Sequence, residues 1–100
     1  MLTRPNIKEL IKTGYDPEKT PNVDNLLSAF DKLFHVKQIP TYEITLKYDP
    51  SYNSHGSWVA EVWGDEFWLF EEAVGIGNLD RALALLYIST VHFLEDNETH

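Results

Sequence analysis

The chain has 100 residues, of which 43 % are hydrophobic and 24 % charged, the profile of one folded globular domain with no room for a second. Sixteen acids against eight bases leave a net charge of −8, and the lack of cysteine excludes disulfides, thiolate metal sites and a cysteine nucleophile. No apolar run approaches the roughly 18 residues that span a bilayer, and the opening Met-Leu-Thr-Arg-Pro has no hydrophobic core of a secretory signal, so a cytoplasmic, reduced setting is expected.

Along the chain, the first expected element is a short helix over Asn6–Thr13, with Ile7, Leu10 and Ile11 on one side and Gly14 as its stop. Residues 15–21 form a connector that two prolines restrict, so that 1–19 reads as an arm ahead of a domain at 20–96 and a tail at 97–100. The second helix takes Thr20 as its N-cap and Pro21 as its first residue, and Asp24 lies in its first turn. Val23, Leu26, Leu27, Phe30, Leu33 and Phe34 fall on one stripe at helical period, and Pro40 marks the end of this segment.

Thr41–Asp49 alternates as a half-buried strand does, with Tyr42, Ile44, Leu46 and Tyr48 on one face and Thr41, Glu43, Thr45 and Lys47 on the other. Turn residues fill 49–56, a second strand covers Ser57–Trp63, and Gly64-Asp65 reads as a two-residue turn into a third strand over Glu66–Glu72. That turn sets a register with Val62 facing Phe67, Ala60 facing Leu69 and Trp58 facing Glu71 on the core side. On the other side Trp63 faces Glu66, Glu61 faces Trp68 and Val59 faces Phe70. Asn78 caps a last helix from Leu79 to Glu95, whose core stripe includes Leu79, Ala82, Leu83, Leu86, Thr90, Phe93 and Leu94. Leu85, Ile88 and Val91 lie outside the stripe, so this helix packs on two sides or on a second copy of the chain.

Catalytic templates find no match. The serines lack a Gly-x-Ser-x-Gly context. The doublets Asp65-Glu66 and Glu71-Glu72 point to opposite faces of a strand and make no acid/base pair. No two of His35, His55, His92 and His100 have metal-ligand spacing, and Gly75-Ile76-Gly77 lacks the lysine and further glycine of a phosphate loop. Neither enzyme nor cofactor nor metal is expected.

The charge is one-sided. Residues 1–50 carry seven acids and seven bases, whereas 51–100 carry nine acids and the single base Arg81. Cations that displace counterions drive nucleic-acid binding, so this distribution argues against direct DNA or RNA contact and favours a basic protein surface.

The order helix–strand–strand–strand–helix over 22–94 resembles the double-stranded-RNA-binding domain. The likeness is carried by Pro40-x-Tyr42-Glu43, Asp49-Pro50, His55, Trp58 with Val62, and Gly75-x-Gly77. That family's basic phosphate clamp is missing, since the corresponding stretch reads Asn78-Leu79-Asp80-Arg81-Ala82-Leu83, so the resemblance implies the fold without the RNA binding. Trp58-Val59-Ala60-Glu61-Val62 with Ala82-Leu83-Ala84-Leu85 also looks like the phage ABA sandwich domain and the strands of HicB-type antitoxins. Those resemblances imply a small phage or mobile-element protein that works by protein contact.

The expected fold is therefore α+β, a two-layer α-β-β-β-α sandwich with a three-stranded antiparallel sheet, helices on one face and a short N-terminal helical arm. The expected function is a non-enzymatic regulatory or interaction module. It would bind a basic protein partner, or itself as a homodimer, through Val59, Glu61, Trp63, Glu66, Trp68 and Phe70. The alternatives are an acidic inhibitor that mimics nucleic acid, and a degenerate RNA-binding domain.

Overall fold

A computed structural model describes residues 4–39, 41–50, 57–64, 69–76 and 79–98; for 69–76, 97 and 98 it describes the backbone alone. The elements are α1 (Arg4–Lys12), α2 (Val23–Val36), β1 (Tyr42–Asp49), β2 (Ser57–Gly64), β3 (Leu69–Ile76) and α3 (Leu79–Glu98). No helix among the described residues is long and apolar enough to cross a membrane. Asn78, Pro40 and the loop histidine His55 lie outside the described residues.

α1 and α2 end alike. Gly14 takes a left-handed conformation at φ 106, its N–H donates to the Ile11 carbonyl, and the Tyr15 N–H reaches back to that of Leu10. After α2, Gln38 is left-handed at φ 60, its N–H donates to the His35 carbonyl, and the Ile39 N–H reaches that of Phe34. Both are Schellman closures, which pair otherwise orphaned carbonyls. The first delivers Tyr15 into the core, where it is 5 % exposed. At its other end α2 is capped by Asn22 rather than Thr20: the Asn22 side chain accepts the Asn25 N–H at 2.9 Å. Thr20 contributes its carbonyl instead, accepting from Asn22 N, the Asn25 amide and the Tyr15 hydroxyl.

The α+β class expected from the sequence is compatible with this architecture; the expected three-stranded sheet built on a Gly64-Asp65 hairpin is corrected. The strands with described side chains are the antiparallel pair β1–β2, which brings Ile44 opposite Val62 and Leu46 opposite Ala60. Gly64 is no turn residue: it stays in β2, opposite Tyr42. The backbone of β3 joins the other edge of β2, giving the order β1-β2-β3, but it starts at Leu69 and not at Glu66. Val62 faces Glu71, Ala60 faces Ala73 and Trp58 faces Gly75, each partner four residues beyond the expected one. A shift of four conserves the in–out alternation, so hydrophobic pattern accepts either register and only turn geometry separates them.

α3 packs on β2 and β3, and α1 and α2 pack on α3. Ala82, Leu83, Ala84, Leu86, Tyr87, Val91 and Leu94 of this helix are all buried, an arc of more than half its circumference. Phe30 stands edge-on to Tyr87, with ring centroids 5.2 Å apart, and Phe34 meets Tyr42 of β1 at 4.4 Å. The arm is held to this helical layer by Leu10, which is fully buried, and by Glu9 at 3.5 Å from His92.

Candidate functional site

β2 presents two faces, but its burial does not alternate strictly, since Ser57 and Glu61 are buried as well as Ala60 and Val62. Ala60 and Val62 are fully buried against the helical layer, and Trp58 is half-buried on the same side. Val59, Glu61 and Trp63 take the opposite side, as strand periodicity demands. The β1 register adds Lys47 opposite Val59, Thr45 opposite Glu61 and Glu43 opposite Trp63. This outer face is the candidate site.

Its centre is an ion pair. The Lys47 Nζ lies 3.1 Å from the Glu61 Oε1, diagonally across the strand pair. Glu61 is 7 % exposed, whereas the Lys47 side chain is 61 % exposed and projects its head into water. Val59 and Trp63, two residues away on either side of Glu61, are half-buried. The arrangement is an apolar strip interrupted by a neutralised charge, and it suits contact with another protein better than it suits proton transfer.

Sequence reasoning placed Val59, Glu61 and Trp63 together, and the strand keeps them on one face. The cross-strand partners expected for them are replaced. The β3 backbone puts Val74, not Phe70, opposite Val59; Glu72, not Trp68, opposite Glu61; and Leu69, not Glu66, opposite Trp63. Phe70 falls at the irregularity where the register shifts between Val62 and Trp63, and its side chain is outside the description. Glu66 and Trp68 lie outside the described residues altogether. Lys47 is the residue sequence reasoning missed. The alternation of β1 had placed it on the outward side, but the β1–β2 register was needed to set it beside Glu61.

A second aromatic pair marks the end of the core-facing side. Tyr48, 51 % exposed, sits 5.2 Å from Trp58, ring centre to ring centre. Among the described residues no group of three or more histidine, aspartate and glutamate side chains is placed to hold a metal ion. No family model, no curated protein and no solved structure matches this chain.

Proposed function

We propose that the protein is a small acidic interaction module that performs no chemistry and binds a partner protein with a basic surface through the outer face of β1 and β2. The observation that carries this reading is the half-exposed pair Val59 and Trp63 flanking a carboxylate that Lys47 already neutralises. Such a face gains by apolar burial, and tryptophan is the side chain that most often dominates an interface. The surplus of acids in 51–100 steers a basic partner towards it without supplying most of the affinity. A resemblance to small phage and mobile-element proteins fits the same role.

The test is affinity capture of the partner by wild type and by a Val59→Ser/Trp63→Ser variant, at about 0.1 M and about 1 M salt, where the screening length falls from ~10 to ~3 Å. Wild type should hold its partner at both ionic strengths, and the variant should lose it while keeping its melting temperature within a few degrees. Capture that survives the double substitution but collapses at high salt identifies the nucleic-acid mimic instead. Retention of the protein on double-stranded RNA at physiological salt would point to the degenerate RNA-binding domain.

A further inference from the structure

The connector between α1 and α2 borders a half-open cavity of about 370 Å³ against one side of α2, near the lower end of the range for small-molecule sites. Its frame is fixed at both ends. The Schellman closure after Gly14 seats Tyr15, whose hydroxyl donates to the Thr20 carbonyl at 3.1 Å, and the Asn25 amide donates to the same carbonyl at 2.8 Å. Between those anchors Asp16 accepts the Glu18 N–H through Oδ1 and the Lys19 N–H through its carbonyl. The cavity is thus a consequence of bonded loop geometry.

Its lining has two characters. Ala29, Leu33 and Val36 of α2 supply an apolar wall, and Val36 is 65 % exposed there, well above what a helix position beside the core ordinarily shows. Lys19 from the connector and Lys32 from α2 also line it, against the single acid Asp16. In a chain of net charge −8 this is a local reversal of sign. Tyr87 lines the same cavity, 6 % exposed and held edge-on against both Tyr15 and Phe30, so its ring is a fixed part of the wall.

We propose that this cavity binds a small organic monocarboxylate with an aromatic or branched apolar body. The body lies on Ala29, Leu33 and Val36, Lys19 and Lys32 neutralise the carboxylate, and the Tyr87 hydroxyl donates to one of the ligand's oxygens. Burial holds the Tyr87 phenol above its ordinary pKa, which keeps it a neutral donor across the physiological range. The site is separate from the sheet face and stands whether or not that face binds a protein.

Phenylacetate, and phenylacetamide as its uncharged counterpart, are suitable probes, followed by amide chemical shifts of the full-length protein. Phenylacetate should shift residues 13–19 and 25–36 saturably, and phenylacetamide should bind about tenfold more weakly, the value of one charge-assisted hydrogen bond. Lys32→Glu should cost phenylacetate at least that factor, and Ala29→Leu, which fills the cavity from a half-buried position on α2, should abolish the binding of both probes. Absence of saturable shifts in those two segments overturns the proposal. So does equal affinity for the two probes, or binding unchanged by Ala29→Leu in a variant whose spectrum shows it folded.

Discussion

A carboxylate that is 7 % exposed needs compensation, and at Glu61 part of it comes from Lys47, whose amine stands 3.1 Å away on the neighbouring strand. Breaking a fully buried pair costs 3–5 kcal/mol, roughly, because a charge is stranded, whereas exposed pairs contribute about 0–1 kcal/mol. Lys47 is mostly in water, so the cost belongs near the exposed end of that interval. Lys47→Met, which keeps the aliphatic stem and deletes the charge, should lower stability by about 1 kcal/mol in urea denaturation. Adding Glu61→Gln should recover part of the loss, since an amide is cheaper to bury than an unpaired carboxylate. A Lys47→Met variant as stable as wild type would show that the pair contributes nothing to the sheet. With Lys47 offsetting the charge of Glu61, the centre of the outer face carries little net charge.

At the scale of elements, the two helix closures explain what could be read in advance. Gly14 signals its own left-handed turn, because glycine is the default residue there. The matching position after α2 is Gln38 at φ 60, a conformation that costs an L-residue about 1–2 kcal/mol and that no side-chain pattern announces. Gln38→Gly should therefore stabilise the domain by about 0.5–1 kcal/mol, after the extra chain entropy of glycine is subtracted. Thermal unfolding checks it, and a lower melting temperature would mean that the Gln38 side chain makes contacts worth more than its strain. The stripe from Val23 to Phe34 and the alternation of β1 were legible because burial imposes a period that the residues repeat. Asn22 displaced Thr20 as the cap because both residue types cap, asparagine the better of the two, and the choice depends on where the connector ends. The β2–β3 register was not legible for a related reason. Two registers four residues apart bury the same face of β2, and Gly64 can serve as a turn residue or as the last residue of a strand. Three members of the candidate site, Val59, Glu61 and Trp63, followed from strand period alone, while Lys47 depended on pairing across residues far apart in sequence.

At the scale of the whole molecule, α3 is the axis on which the rest is assembled. Its 20 residues carry buried positions around more than half of the helix, because the sheet, α2 and α1 each claim a sector. An apolar girth of that kind implies packing on two sides or on a second copy of the chain, and the sheet, α2 and α1 supply more than one side within the chain. Tyrosine is the residue that joins these sectors. Tyr15 follows α1, Tyr42 opens β1, Tyr87 lies in α3, and burial is the leading cause that raises the pKa of each above the ordinary phenol value of 10.0. Tyr42 is raised further by its 3.0 Å hydrogen bond to Asp31, and Tyr15 by the charge of Asp16. A group whose pKa is higher folded than unfolded favours the folded state in its protonated form. Its contribution is therefore complete below the unfolded value near 10 and is lost as the pH climbs from there through the folded value. The melting temperature should show no tyrosine-linked change between pH 7 and 9, and should fall with increasing slope above about pH 10. Lysines titrate in the same window, so the informative quantity is a difference between variants. Tyr87→Phe retains the ring that packs against Phe30 and Tyr15 and removes the ionisable group, so its alkaline limb should be shallower than that of wild type. Equal slopes would show that the Tyr87 phenol ionises as freely in the folded protein as in the unfolded chain, and that its burial has no part in the alkaline transition.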